Sequence, residues 1–260
     1  MTRRRADTLL AERGLAPSRT AAAASVRAGR VRLAKNGSPV DKPSELVPED
    51  AELIVEEGKT FVSRGGIKLD NALSELPVEV RDRLALDVGA STGGFTDCML
   101  QRGARMVIAV DVGYGQLDWR LRQDSRVLVM ERLNARRLEN SSLPFQPALI
   151  TVDVSFISLA MLMPSIVAVA ADGFDLLGLV KPQFELGREK VGKGGVVREA
   201  ADRREAIRRV AEAAERQDLV IRGLASSGLP GPKGNRETFV WAARRGDPID
   251  LDAALQGVEP

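Results

Sequence analysis

The chain of 260 residues contains no histidine and one cysteine, Cys98. Without histidine, acid–base chemistry falls to Asp, Glu, Lys, Tyr or Cys, and a typical zinc site lacks its commonest ligand. One cysteine excludes an intramolecular disulfide and any CxxC metal site, and it fits a reducing compartment. Long apolar runs are scarce. The opening MTRRRADTLLAERG has none, so no secretory signal is visible and a cytoplasmic setting is expected. Only residues 154–171, VSFISLAMLMPSIVAVAA, reach the length of a membrane span. That run carries Pro164 and three serines, and Asp153 and Asp172 flank it without a nearby cation. It reads better as a buried strand-then-helix segment.

What is present is an ordinary globular composition, 44% apolar and 28% charged, long enough for a core and for two domains. The net charge of +2 is unevenly spread. Residues 1–42 hold ten Lys or Arg against three Asp or Glu, a local +7 on a mildly acidic body. Such a segment suggests an arm or small domain that meets an anion; a solvated basic face is the plainer alternative.

The first 58 residues read as one α+β unit. ADTLLAERG predicts a helix ended by Gly14, and SRTAAAASVRAG a second, with Ser18 as N-cap and Gly29 as stop. RVRLA alternates as a strand, Asn36-Gly37 marks a turn, and SELVPEDAELIVEE predicts one further strand. This pattern resembles the alpha-L, or S4-type, RNA-binding motif. The resemblance implies contact with structured RNA through Arg4, Arg5, Arg19, Arg27, Arg30 and Arg32, with Arg64 nearby. Residues 59–65 read as a joint, and residues 66–260 as a second domain.

From residue 67 strands and helices alternate. IKLDNALSEL is helical, LALDVGA a strand, FTDCMLQRG a helix, and RMVIAVDVG, ALITVDVSF, DLLGLVKP, LVIRGLASS and TFVWAARR strands. DRREAIRRVAEAAERQ is an amphipathic helix. This order argues an α/β fold with a parallel-type sheet and helices on both faces. Residues 249–260 carry no clear signal.

LALDVGASTGGFTDCML puts a glycine loop between a strand and a helix, where open α/β sheets bind ligands. Asp111 ends the next strand, twenty-two residues after Gly89, where an acid can bind ribose hydroxyls. The spacing is not GxGxxG, because Ser91 stands where a pyrophosphate turn wants glycine; a dinucleotide enzyme is therefore disfavoured. Asp-x-Gly-x-x-x-Gly-Gly instead resembles motif I of methyltransferases that use S-adenosylmethionine (SAM). That resemblance implies cofactor contacts from Asp87, Gly89, Ser91, Thr92, Gly93, Gly94, Phe95, Asp111, Val112 and Asp153. Glycines close-packing strand on helix are the plainer reading of the loop alone.

Lys68, Asp153, Lys181 and Glu237 stand at predicted element ends, and each singly could be a surface charge. As a K–D–K–E set in order they resemble the FtsJ-type RNA ribose 2′-O-methyltransferases. VSRGGIKL, LDVGASTGGFTD, VDVSFISL, LVKPQFE, VGKGGVVR and KGNRE together resemble the TlyA family of rRNA cytidine 2′-O-methyltransferases, also called hemolysin A-like. The family's joint often carries a Trp where KTFV has Phe61, so only a linker role is carried over. The resemblance implies ribosomal RNA in ribosomal subunits as partner, SAM as methyl donor, no metal, Lys181 as base with Lys68 as its partner, and Asn134 of ERLNARRL beside adenine. A ribose hydroxyl is a poor nucleophile until its proton is taken. Two lysines beside a sulfonium would each disfavour a second positive charge, and Asp153 and Glu237 would oppose that effect. GREKVGKGGVVRE, with Arg188, Lys190 and Lys193, reads as a mobile RNA-contacting flap or as a solvated loop. An inactive RNA-binding assembly factor and a membrane-active hemolysin stand as alternatives. The intact K–D–K–E set argues against the first, and the marginal 154–171 run against the second.

Overall fold

The computed structural model describes residues 2–27, 29–35, 37–56, 61–231 and 233–258. The chain divides into two compact units, Met1–Ile67 and Lys68–Pro260.

The first unit contains β1 (Arg3–Arg5), α1 (Ala6–Glu12), α2 (Arg19–Arg27), β2 (Val31–Leu33), β3 (Leu46–Pro48) and β4 (Leu53–Val55). Antiparallel ladders join β1 to β3 and β2 to β4. Ser18 caps α2 as expected: its Oγ accepts the Ala21 amide at 3.1 Å. Gly14 and Gly29 both take positive φ just beyond the two helices. Leu9, Leu10, Ala22, Val26, Val31, Val47 and Leu53 form the core. The RRR run, for which the sequence predicts no element, is a strand because its backbone pairs with β3. One expectation changes. The SELVPEDAELIVEE segment makes two strands, separated by a turn in which the Ala51 amide donates to the Pro48 carbonyl. Ala28, Asn36 of the expected turn, and residues 57–60 of the expected strand end and joint lie outside the described residues.

Helix α3 (Arg64–Glu75) leads into the second unit, starting three residues before the helical pattern suggested. Then come β5 (Leu84–Val88), α4 (Gly94–Gln101), β6 (Met106–Asp111), α5 (Trp119–Gln123), β7 (Val127–Glu131), β8 (Leu149–Val152), α6 (Leu159–Val169) and β9 (Asp175–Val180). They are followed by α7 (Pro182–Glu185), α8 (Ala200–Glu215), β10 (Val220–Ser226), β11 (Thr238–Ala243) and α9 (Leu251–Val258). The seven strands lie in the order β10-β11-β9-β8-β5-β6-β7. Ladders β9-β8-β5-β6-β7 are parallel, whereas β11 runs antiparallel to both its neighbours. The parallel-type sheet expected from the strand and helix order is therefore present, with β11 reversed within it. The β10–β11 connection is too short for a crossover helix, so the chain must turn back on itself.

Strand alternation sorts the core into two faces. Leu86, Val88, Ile108, Val110, Ile150 and Val152 pack with Leu162 and Ile166 of α6 and with Ile207 and Val210 of α8. On the other face Phe95 of α4 meets Phe239 at 5.6 Å, and Thr151 lies against Met99. Strands buried on both faces read as apolar runs without alternation. Pro164 sits inside α6, yet Leu159, Leu162, Met163, Ile166 and Val169 are buried there. Each contributes roughly 1.5–3 kcal/mol, so that together they outweigh a proline cost of about 3 kcal/mol. At 11 residues α6 is about half the length of a bilayer-crossing helix. Among the described residues no helix is long and apolar enough to cross a membrane.

Candidate active site

The chain leaves β5 toward one side of the sheet and reaches β8 on the other, so a topological switch point opens between these two strands. The glycine loop follows β5 and Asp153 follows β8. The amides of Gly89 and Ala90 both donate to the Val110 carbonyl, at 2.8 and 3.0 Å. Gly89 has φ +86°, and a Cβ there would overlap the Asp153 main-chain oxygen. Gly93, with φ +95°, caps α4, and a Cβ there would overlap Leu121 and Leu117. The neighbours that demand these two glycines are therefore protein atoms, which is the close-packing reading of the loop. Asp111 latches the loop from the next strand. Its Oδ2 accepts the Ser91 amide at 2.8 Å and its Oδ1 the Gly113 amide at 2.7 Å.

At this edge lies a cavity of about 340 Å³. Gly89, Ser91, Asp111, Val112, Asn134 and Asp153 line it, joined by Gln116, Leu133, Ser155 and Phe156. Asn134 also caps the short turn after it, accepting the Arg136 amide at 3.0 Å. Thr92, Gly93, Gly94, Phe95 and Asp87 do not line the cavity. Phe95 belongs to the core, and Asp87 is wholly buried beneath the loop. Thr96 donates to Asp87 at 2.7 Å and Thr151 at 3.2 Å. Burial pushes the Asp87 carboxyl up to about 7; the two hydroxyls oppose that rise and the nearby Asp153 adds to it.

The K–D–K–E set resolves into two ion pairs, one between the ends of β8 and β9 and one between α3 and the start of β11. Lys181 Nζ lies 2.6 Å from Asp153 Oδ1 and donates to Ser155 Oγ at 3.1 Å. Lys68 Nζ donates to Glu237 Oε2 at 2.5 Å. Thr238 pairs with Val180 in the β11–β9 ladder, so Glu237 and Lys181 stand at the same end of it. Glu237 is fully buried and its Oε1 has no hydrogen-bond partner. Removing either member of a pair this buried leaves an uncompensated charge, a cost of about 3–5 kcal/mol. Among the described residues no group of three or more His, Cys, Asp or Glu is placed to hold a metal ion.

Several cations expected to meet RNA already have partners. Arg4 pairs with Glu12 at 2.6 Å, Arg32 with Glu56 at 2.6 Å, Arg64 with Asp41 at 2.6 Å and Lys190 with Asp202 at 2.9 Å. Arg30 donates to Ser25 Oγ at 2.6 Å. Arg5 and Arg19 share Asp7, at 2.7 and 3.3 Å. The Arg5 guanidinium foremost, then Arg19, holds the Asp7 carboxyl down at about 2. Arg27, Arg188 and Lys193 are exposed. In the 187–199 segment, read as a flap or a solvated loop, residues 195–197 are tied to Asn235. Val197 is buried, its amide donates to Asn235 Oδ1 at 2.9 Å, and Asn235 Nδ2 donates to the Gly195 carbonyl at 2.8 Å.

Residues 61–244 match the FtsJ-like methyltransferase family and residues 4–53 the S4 domain. Over 247 residues the chain is 45% identical to the 16S/23S rRNA (cytidine-2′-O)-methyltransferase TlyA of Mycobacterium tuberculosis, covering 94% of this chain and 91% of that protein. The chain belongs to the TlyA family. The chain is also 46% identical to YqxC of Bacillus subtilis, named as an rRNA methyltransferase, over 90% of this chain and 83% of that protein. A solved structure of a hemolysin-named protein from Streptococcus thermophilus superposes with a TM-score of 0.76 at 39% identity, covering 99% of this chain and 96% of that one. Family membership accounts for the SAM-methyltransferase architecture of the seven-stranded sheet and for the S4 unit before it. Sequence reasoning passed over Ser155, Gln116 and Phe156. Ser155 and Phe156 sit inside the VDVSFISL motif, which could have pointed to them. Gln116 follows Asp111 in an irregular loop that has no period to read.

Proposed function

We propose that this protein methylates the ribose 2′-hydroxyl of a cytidine in ribosomal RNA, using SAM, in the cytoplasm. The observation that carries the reading is the Lys181–Asp153 pair, whose Asp153 also lines the cavity at the switch point. The cavity fits a nucleoside-bearing donor: Asp111 and Asn134 offer polar atoms on one side, and Leu133 and Ile157 apolar ones. Bound SAM supplies an electrophilic methyl group. Gly89, Ser91, Asp111, Val112 and Asn134 would hold the donor; Asp87, Thr92, Gly93, Gly94 and Phe95 support the loop from below. Lys181 Nζ takes the 2′-hydroxyl proton after the ammonium of its pair with Asp153 has given up one proton to solvent. Asp153 and Ser155 aim that nitrogen, and Glu237 holds Lys68 beside it. Alignment of hydroxyl and methyl is the main contribution asked of the site. On this reading residues 1–58 bind RNA, 59–65 join the units, and 66–260 carry the chemistry. Arg4, Arg5, Arg19, Arg27, Arg30, Arg32 and Arg64, with Arg188, Lys190 and Lys193 of the flap, contact phosphates.

The test incubates purified protein with ribosomal subunits and labelled SAM, then maps 2′-O-methyl groups by resistance to alkaline hydrolysis. Label at a cytidine ribose is expected. Calorimetric binding of NAD in place of SAM, or label confined to bases, would overturn the reading. The hemolysin name of a relative predicts release of dye from liposomes; none is expected from this protein.

A further inference from the structure

We infer that Glu185 is a positioning residue for the Asp153–Lys181 pair, tying the loop that carries Asp153 to the strand end that carries Lys181. The inference rests on the active-site reading above. Lys181 ends β9, Pro182 opens α7, and Glu185 closes it. Glu185 is 9% exposed, an unusual place for a carboxylate without a partner. It has two. Its Oε2 accepts the Ser158 hydroxyl at 2.6 Å, and its Oε1 accepts the Leu159 amide at 2.7 Å.

Leu159 is the first residue of α6, and Ser158, at the N-cap position, makes no cap bond to its own helix. The cap is thus supplied in trans, by an anion placed where a helix N-terminus favours one. Burial pushes the Glu185 carboxyl up, while Ser158 and the α6 amides pull it back. The segment 153–158 between β8 and α6 carries both groups on Lys181 Nζ, Asp153 and Ser155. It also carries Phe156 at φ +65°, a conformation a bulky residue rarely keeps unless its surroundings impose it. The segment is held at its start by the Asp153 amide on the Val88 carbonyl, at 2.9 Å. Glu185 holds its end. Glu185 is itself fixed, because its main-chain oxygen accepts Arg209 Nη1 from α8 at 3.1 Å. The two chain segments that meet at Lys181 are therefore cross-braced by one carboxylate, with no contribution from it to the reacting atoms.

The test uses full-length protein at saturating SAM, with the single-turnover rate expressed per SAM-binding-competent molecule. Glu185→Met keeps the bulk and removes the acceptors; it should slow transfer tenfold or more while KM for ribosomal subunits stays within about threefold. Glu185→Gln keeps an acceptor for Leu159 and should restore most of the rate. A variant that merely lowered the folded fraction would leave the normalised rate unchanged, and that result in Glu185→Met overturns the inference. Should Glu185→Met fail to fold, Ser158→Ala takes its place. A loss of about threefold supports the brace and an unchanged rate overturns it. Lys181→Ala is run alongside. If it retains transfer, the active-site reading has failed; if it is inert while Glu185→Met runs at full rate, only the brace has failed.

Discussion

Asp87 is a carboxylate shut away from water, and its titration should be visible in the stability of the fold. Its usual value of 3.8 is raised to about 7 in the folded protein. The native state therefore keeps a proton that the unfolded chain releases. Below about pH 4 the group is neutral in both states and costs nothing. As pH rises toward 7 the unfolded state is increasingly favoured, and above that the penalty is constant. Asp87→Asn cannot titrate. Relative to wild type, its stability to denaturant should improve between pH 4.5 and 8, whatever fixed cost the amide brings. A difference that stays flat across that range would show Asp87 ionising normally. Sequence placed Asp87 in the motif but could not aim it. Asp87 pairs with Thr151 in the β5–β8 ladder, so both point to the α4 face and away from the cavity. Gly89, two residues on, has already left the strand.

Among elements, the loop after β5 had two readings, glycine for the approach of a ligand and glycine for close packing. At Gly89 the Asp153 carbonyl fills the space a side chain would need, which favours packing. Gly89→Ala should thus lower thermal stability in the absence of SAM, by about 1–3 kcal/mol for backbone strain alone, and lose SAM binding as a consequence. Unchanged melting with lost binding would restore the ligand explanation. The same division runs through the fold. Strands β5, β6, β8, β9, β10 and β11 were legible because long apolar runs have few other uses. Helix α9 was not: its anchor is Leu255 in the core and an Arg208–Asp252 pair at 2.5 Å, both long-range. The reversal of β11 was also hidden, since strand direction is set by pairing and not by residue type. The pairs Lys181–Asp153 and Lys68–Glu237 were legible as a set of residues and not as pairs.

For the whole molecule, charge is the property that sequence settles and structure refines. The +7 of residues 1–42 is a fact of composition. Much of it is bound internally, as in the sharing of Asp7 by Arg5 and Arg19, yet an arginine paired on one edge still has donors for a phosphate. Replacing Arg19, Arg27 and Arg30 together by Ala should weaken binding to ribosomal subunits and flatten its dependence on salt. The slope should fall by roughly 0.7–0.9 for each phosphate that is no longer neutralised. Affinity and slope equal to wild type would move the RNA surface to the 187–199 segment.

The central claim, that Lys181 takes the proton from a ribose hydroxyl beside a SAM cavity, is tested most directly by single-turnover transfer from labelled SAM to ribosomal subunits. Wild type, Lys181→Ala and Lys181→Arg are compared, with SAM binding measured in parallel. Both variants should bind SAM and lose transfer by about 10²-fold or more, the loss expected for a general base. Arginine should not rescue, because a guanidinium stays protonated. Near-normal transfer by Lys181→Ala would contradict the account and pass the role of base to Lys68.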